Sequence, residues 1–150
     1  MAGGPVIKWG LENRVENGEF GDMYELTVKA SFSAAHSLRD YEGPCSNVHG
    51  HNWIVEVVVR GAELAPNGML VDFSDIKEAA SQALSRLDHT NLNDVPPFDS
   101  LNPTSENLAR WIYEQVGQKV NTERVKVTRV NVREAETSCA GYFEVAGEDK

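Results

Sequence analysis

Two histidines on either side of a glycine form the most chemically distinctive segment of the chain. His49 and His51 stand at the beginning of a predicted strand, where residues two apart place their side chains on the same face. Neutral imidazole is the commonest zinc ligand, and three protein ligands with one open position make a catalytic zinc site. His36, which follows the preceding predicted strand, is the third candidate if the two strands are neighbours. These residues alone leave open the alternative of a surface histidine pair at a loop-to-strand junction.

A cysteine lies close to this histidine pair in the sequence. Cys45 comes four residues before His49, and a thiol near a metal or an imidazolium gains thiolate character and can act as a base or nucleophile. Two alternatives remain: a fourth metal ligand, which would make the site structural, and an inert buried thiol. The second cysteine, Cys139, is expected to be inert.

Carboxylates supply the other candidate groups. Asp88 directly precedes His89 after a predicted helix, and a carboxylate can fix the tautomer or charge of an imidazole that serves as a base. Considered alone, the dipeptide favours simple capping of the helix C-terminus. Glu134 and Glu136 end a predicted strand. They are either solvated surface charges, or one of them binds a guanidine-like or 2-amino-pyrimidinone edge through two hydrogen bonds.

The composition limits the classes of function. The chain has 150 residues, of which 41% are hydrophobic and 25% charged, which is typical of one globular domain with a core. A net charge of −9 without a Lys/Arg run argues against a nucleic-acid partner. No apolar run approaches the roughly 18 residues of a membrane span, and no signal peptide is recognisable. We therefore expect a cytoplasmic protein. Two cysteines are too few for a disulfide scaffold.

The elements that position these residues follow from hydrophobic periodicity. Residues 1–22 predict an N-terminal extension with at most a short strand at 6–9, and residues 23–150 a single domain. Strands are predicted at residues 24–32, 53–61, 125–132 and 142–145, with an extended segment at 69–71. One predicted helix is capped by Ser74 or Asp75, and a second is capped by Thr104 and ends at Gly117.

This order predicts an α+β fold, a four-stranded antiparallel sheet with two helices on one face. Such a small sheet leaves edges and one face unprotected, so a homo-oligomer is expected.

Several motifs in fixed order resemble one family over about residues 23 to 145. They are Phe32-Ser-Ala-Ala-His36, Cys45-x-x-x-His49-Gly-His51-Asn52, Val71-Asp72-Phe73, Leu87-Asp88-His89-x-x-Leu92-Asn93 and Asn102-Pro-Thr-Ser-Glu-Asn107. Together with a terminal strand containing Glu, they resemble the 6-pyruvoyltetrahydropterin synthase / 6-carboxytetrahydropterin synthase family. The resemblance implies the tunnelling fold (T-fold), in which sheets of several subunits close into a β-barrel and two trimers stack as a hexamer. It also implies an active site at a subunit interface.

The resemblance also implies roles for individual residues. His36, His49 and His51 would hold Zn²⁺, and Cys45 would be the general base. Asp88 with His89 would assist across the interface, and Thr104 and Ser105 would contact the edge of a pterin ring.

A glutamate would anchor the pterin in this family. Glu134 is favoured because Tyr142 follows it at the family's usual spacing, whereas Glu136 has the family's adjacent threonine, Thr137. Ala135, after Glu134, departs from the family pattern, as does the N-terminal extension.

The implied reaction is metal-assisted proton movement on the side chain of a pterin triphosphate substrate, 7,8-dihydroneopterin triphosphate. The carboxy branch releases acetaldehyde and triphosphate and yields 6-carboxy-5,6,7,8-tetrahydropterin, an intermediate toward queuosine. The pyruvoyl branch stops after triphosphate elimination and internal redox rearrangement. The three residues between Cys45 and His49 resemble the carboxy branch. A third branch, which makes 6-hydroxymethyl-dihydropterin, usually has Glu in place of this cysteine. A non-catalytic protein with structural zinc is the alternative from another class.

Overall fold

The computed structural model describes residues 21–145, which contain one mixed sheet and two helices. The strands are β1 (Tyr24–His36), β2 (His49–Gly61), β3 (Thr90–Asn91), β4 (Lys126–Ala135) and β5 (Ser138–Tyr142); the helices are α1 (Phe73–Leu84) and α2 (Ser105–Val120). The strand order is β3-β1-β2-β4-β5, with every pairing antiparallel except that of β3 with β1. The predicted α+β class is confirmed, but the predicted four-stranded antiparallel sheet has a fifth, two-residue strand, β3, which pairs parallel to β1. The predicted strand at 6–9 and nearly all of the predicted extension lie outside the described residues.

One face of the sheet carries the core, because apolar side chains alternate along its strands. Trp53, Val55, Val57 and Val59 of β2 are completely buried, whereas the residues between them are more exposed. Both helices pack onto this buried face through apolar stripes. These stripes comprise Ile76, Ala79, Ala80, Ala83 and Leu84 in α1, and Leu108, Ile112, Val116 and Val120 in α2. The helices therefore cover a single face, as predicted.

The sequence predicts the N-cap of one of the two helices correctly. Thr104 caps α2 as predicted, since its side chain accepts a hydrogen bond from the Asn107 N–H. The prediction of Ser74 or Asp75 as the α1 cap is wrong. Asp72 is the N-cap, and its carboxylate accepts from the Ser74 N–H at 2.8 Å. Helix α2 also continues past Gly117, the predicted end, to Val120. Gly117 is buried, and its carbonyl oxygen accepts a hydrogen bond from the Asn121 N–H.

The strands differ from prediction at their ends. Strands β1 and β2 are longer than predicted and are paired up to His36 and His49. The prediction of a last strand at residues 142–145 is wrong except for Tyr142. The chain already turns back at Glu136 and Thr137, so β5 begins at Ser138 and ends at Tyr142. Residues 69–71, predicted as an extended segment, belong to no strand of the sheet. Among residues 21–145, no helix is both long and apolar enough to cross a membrane.

Candidate metal and substrate site

The β1–β2 pairing brings the three predicted histidines together. His36 lies opposite His49, and His51 lies opposite Ala34, so the three imidazoles share the helix-covered face at one end of the sheet. One ring nitrogen from each lies within 4.8 Å of the other two. His36 is only 1% exposed, while the other two are half-buried. The geometry is therefore that of three nitrogen donors around one point.

Backbone carbonyls orient two of these rings. His36 Nδ1 lies 2.8 Å from the Pro103 carbonyl oxygen, and His49 Nδ1 lies 2.7 Å from that of Asn47. A carbonyl only accepts, so each Nδ1 carries the proton and each Nε2 presents a lone pair. The two Nε2 atoms nevertheless lie 3.0 Å apart, and His51 Nε2 is buried without a hydrogen-bond partner. Two lone pairs and a third ring nitrogen without a hydrogen-bond partner thus meet around one point, which fits a bound cation, and an all-nitrogen donor set suits zinc.

The surroundings favour the neutral form of two of these rings. Burial lowers the pKa of His36, and burial likewise lowers the pKa of His51. Trp53 contributes to this burial, since its ring centroid lies 4.9 Å from that of His36 and 5.1 Å from that of His51. Its indole N–H donates to the Ala34 carbonyl oxygen at 3.2 Å. Since only a neutral imidazole can bind a metal, the burial of these rings against Trp53 favours metal binding at neutral pH.

A cavity of about 370 Å³ opens beside His36. Thr104, Ser105 and Glu134 line it, together with Cys139. Its volume lies within the range of small-molecule sites, about 300–1,000 Å³. The structure thus brings three predicted substrate-binding residues next to the three predicted metal ligands.

The two candidate glutamates occupy different environments. Glu134 is half-buried, and its Oε2 lies 3.8 Å from His51 Nε2 and 3.9 Å from His36 Nε2. Glu136 is exposed in the β4–β5 turn and does not line the cavity. Of these two candidates, Glu134 is therefore the one placed to meet a ligand in this cavity, which Glu106 also lines.

A sequence model described as 6-pyruvoyl tetrahydropterin synthase matches residues 25–145, which is most of the chain and nearly all of its described part. The chain belongs to this family. A 6-carboxy-5,6,7,8-tetrahydropterin synthase of Bacillus subtilis (strain 168) is 39% identical over 126 residues, covering 79% of this chain and 84% of the relative. A dihydroneopterin monophosphate aldolase of Pyrococcus furiosus is 36% identical over 109 residues, covering 73% and 88%. The structure of Caenorhabditis elegans 6-pyruvoyl tetrahydropterin synthase superimposes with a TM-score of 0.74 at 29% identity, covering 83% of this chain and 98% of that one.

These comparisons confirm the family resemblance, the T-fold of the chain and its assignment as an enzyme of a tetrahydropterin synthase family. The named relatives differ in the reaction that their names state. Family membership therefore fixes the pterin-synthase character of the chain and leaves the individual reaction to be proposed.

Cys45 lies on a short 3₁₀ turn, Pro44–Ser46, that precedes β2, and it does not line the cavity. It is half-buried, and its carbonyl oxygen accepts from the Leu38 N–H at 2.8 Å, which ties the turn to the chain after His36. Within residues 21–145, the metal-compatible cluster contains the three histidines and no cysteine. A four-ligand structural site that includes Cys45 therefore gains no support from the geometry.

Asp88 and His89 form a pair that does not line the cavity of their own chain. His89 Nδ1 lies 2.9 Å from Asp88 Oδ2, and Asp88 Oδ1 accepts from the Ser33 N–H at 2.9 Å. The Ser33 N–H hydrogen bond, assisted by His89, lowers the pKa of Asp88. His89 has a φ of 57° and a side chain that is 83% exposed, and it bonds to Asp88 and not to a helix carbonyl. The pair is thus a preformed carboxylate–imidazole dyad at the outer edge of β1.

Sequence reasoning missed the residues that hold the loop in front of the site. The Arg39 guanidinium donates to the carbonyl oxygens of Phe98 at 2.9 Å and Asp99 at 3.2 Å. The carbonyl of Pro103, which orients His36, is a backbone group and leaves no side-chain signal. Asn93 and Asn102 appeared only as members of family-like motifs, and nothing in their spacing indicated which backbone groups they would bind.

Proposed function

We propose that the protein is a zinc-dependent lyase that converts 7,8-dihydroneopterin triphosphate and one water molecule to 6-carboxy-5,6,7,8-tetrahydropterin, with release of acetaldehyde and triphosphate. The observation that carries the proposal is the convergence of three imidazole nitrogens beside a cavity lined by Thr104, Ser105 and Glu134. The spacing of Cys45 and His49 and the similarity to the Bacillus subtilis relative support the carboxy branch. The proposal includes a cytoplasmic location and a role before deazapurine synthesis, as the resemblance implies.

The pterin ring would be held by groups of complementary hydrogen-bonding character. The Glu134 carboxylate would accept two hydrogen bonds from the ring N–H and the exocyclic amino group of the pterin. The Thr104 oxygen already accepts from the Asn107 N–H at 3.1 Å, so its hydroxyl proton is available to donate to a ring acceptor. Ser105, in the first turn of α2, would contact the same ring edge.

His36, His49 and His51 would hold the zinc ion. Zinc bound there would act as a Lewis acid that polarises and acidifies the hydroxyl groups of the substrate side chain. The Cys45 thiolate would accept a proton from that side chain, and His89 would hold or return a proton. The Asp88 carboxylate would stabilise the charged form of His89, since their side chains are 2.9 Å apart.

The position of the dyad supports a site that is shared between two subunits. Asp88 and His89 do not line the cavity, yet their pairing and exposure suit them to act on a neighbouring chain. Among the described residues, the outer edge of β1 is paired only at Ala34 and Ala35, and β5 has one partner strand. We propose a homo-oligomer, a hexamer built as a dimer of trimers, in which these edges pair and the dyad of one chain completes the site of another.

The reaction is tested by product analysis. Zinc-loaded protein is incubated with 7,8-dihydroneopterin triphosphate, and mass spectrometry of the pterins is combined with an acetaldehyde assay. Carboxytetrahydropterin together with acetaldehyde is expected. Pyruvoyltetrahydropterin without acetaldehyde would overturn the branch, and 6-hydroxymethyl-dihydropterin would assign the chain to the third branch. Cys45→Ala is expected to abolish turnover with zinc retained, and loss of zinc in that variant would contradict the role of Cys45 as a base.

The shared site is tested by subunit complementation. His49→Ala and His89→Ala variants are each expected to be inactive, because each lacks one half of the site. Random reassembly of equal amounts would restore about a quarter of the sites, since one site takes its two halves from different chains. Mixtures that stay inactive after demonstrated subunit exchange would place both halves in one chain.

A further inference from the structure

Two asparagine side chains continue the pairing of β1 beyond its last residue. Asn93 Oδ1 accepts from the Ser37 N–H at 2.8 Å, and its Nδ2 donates to the Ser37 carbonyl oxygen at 2.9 Å. Asn102 does the same at Arg39, with distances of 2.9 Å to the N–H and 3.1 Å to the carbonyl oxygen. A carboxamide offers one acceptor and one donor, so each side chain replaces one residue of a partner strand. The segment that follows His36 is therefore fixed by side chains instead of a strand.

Asn102 is also fixed through its own backbone. Its carbonyl oxygen accepts from the Thr104 N–H at 2.8 Å and from Asn107 Nδ2 at 2.9 Å. The buried Pro103 lies between these anchored positions, and its ring restricts φ. Both neighbours of Pro103 are thus held, and the direction of the Pro103 carbonyl is determined.

This carbonyl is the group that orients the most buried histidine. The Pro103 carbonyl oxygen accepts from His36 Nδ1 at 2.8 Å, which directs His36 Nε2 toward His49. Groups that hold the far nitrogen of a histidine ligand fix its tautomer and orientation, and their loss typically weakens metal binding by about 10–100-fold. Asn102 stands one residue from this carbonyl and does not line the cavity.

We propose that Asn102 is a positioning residue for the metal site: by anchoring the chain on both sides of Pro103, it holds the carbonyl that keeps His36 in its ligating tautomer. The inference rests on the proposed zinc function, because it concerns the same three histidines. Its action is exerted through the Pro103 carbonyl, without contact to the metal or the substrate.

A matched asparagine separates this role from general stabilisation. Asn121, at the opposite end of α2, uses its Oδ1 to accept from the Val127 N–H at 2.7 Å. Asn121→Ala removes the same kind of side-chain-to-backbone bond far from His36. Both alanine variants are expected to lower the urea midpoint, and only Asn102→Ala is expected to change the metal site.

The test measures zinc affinity by competition with a chromophoric chelator, using the full chain. Asn102→Ala is expected to weaken zinc binding by about 10–100-fold, and Asn121→Ala is expected to leave it unchanged. Asn102→Asp, which keeps the acceptor for the Arg39 N–H and loses the donor, is expected to fall between. Wild-type affinity in both Asn102 variants would overturn the inference. Absence of zinc binding by the wild-type protein would instead overturn the proposed zinc site.

A second measurement uses the unsubstituted protein and does not depend on a variant that folds. Nitrogen-15 NMR of the zinc-free protein reports which ring nitrogen of His36 carries the proton. The Nδ1–H tautomer is expected in the wild type, with a mixture of tautomers in Asn102→Ala or Asn102→Asp. An Nε2–H tautomer of His36 in the wild type would contradict the role of the Pro103 carbonyl and refute the inference.

Discussion

Replacement of Glu134 by glutamine tests which carboxylate anchors the substrate. Glu134 lines the cavity beside Thr104 and Ser105, whereas Glu136 is exposed in the β4–β5 turn. The side chains are of equal length and glutamine nearly matches glutamate in shape, so Glu134→Gln changes charge and hydrogen bonding with little change in packing. Glu136→Gln is the matched control, because it makes the same substitution just outside the cavity.

The expected magnitude follows from the hydrogen bonds that glutamine cannot make. A carboxylate accepts two hydrogen bonds from the pterin edge, while glutamine accepts one and turns an NH₂ group toward a ring donor. A hydrogen bond to a charged group contributes about 1.5–3 kcal/mol, and Glu134 is 37% exposed, so solvent weakens the effect. A loss of about 2–3 kcal/mol corresponds to a fall of about 30–150-fold in kcat/KM.

The assay is steady-state turnover of 7,8-dihydroneopterin triphosphate, with the zinc content of each variant measured in parallel. Glu134→Gln is expected to retain zinc, since the three histidines supply the donors, and Glu136→Gln is expected to change kcat/KM by less than about twofold. An equal or larger loss in Glu136→Gln would refute the assignment of the anchor. Loss of zinc in Glu134→Gln would show that the carboxylate serves the metal.

Two further predictions concern the framework around the site. Asp72→Ala is expected to lower the free energy of unfolding in urea because it removes the α1 cap, while Asp72→Asn preserves most of it. Hydrogen bonds from Ser74 lower the pKa of Asp72. This stabilisation is therefore complete above the unfolded-state pKa and is lost as the pH falls through the lower folded-state pKa. A difference in unfolding free energy between wild type and Asp72→Ala that grows on acidification would contradict this. Arg39→Lys is expected to cost about 1–2 kcal/mol in the same assay, because an ammonium group cannot replace the guanidinium bonds to Phe98 and Asp99; unchanged unfolding would refute the role of Arg39 in holding the loop.

The sequence was most informative where chemistry and periodicity coincide. His49 and His51 could be placed on one face because they are two residues apart in a β-branched strand, and the structure confirms this placement. The apolar steps of α1 and the Thr104 cap were likewise predictable. Their local signals agree with the tertiary packing, so no competing interaction displaced them.

The missed features depend on contacts between distant segments or on weak turn signals. Asp72, Ser74 and Asp75 all carry side chains that can cap a helix, and only the packing of α1 selects Asp72. The β4–β5 turn at Glu136 and Thr137 contains no Gly, Pro or Asn and so gives no turn signal. Hydrophobic periodicity alone therefore placed the predicted last strand at residues 142–145.

Partners more than fifty residues apart are equally hidden in the sequence. The Asn93 and Asn102 side chains accept from the backbone N–H groups of Ser37 and Arg39, and a backbone group carries no residue-specific signal. The edge position of the Asp88–His89 pair depends on its hydrogen bonds to Ser33, which the spacing of the residues does not reveal.

X-ray absorption spectroscopy of the zinc-loaded protein tests the central claim most directly. The account predicts three imidazole nitrogens and one further light ligand at about 2.0–2.1 Å from zinc, with no sulfur, because His36, His49 and His51 converge without a cysteine among them. Substitution of any of the three histidines is expected to remove one imidazole from the spectrum or abolish binding. A sulfur ligand at about 2.3 Å, which only Cys45 or Cys139 could supply as thiolate, would contradict the account and support a structural zinc site.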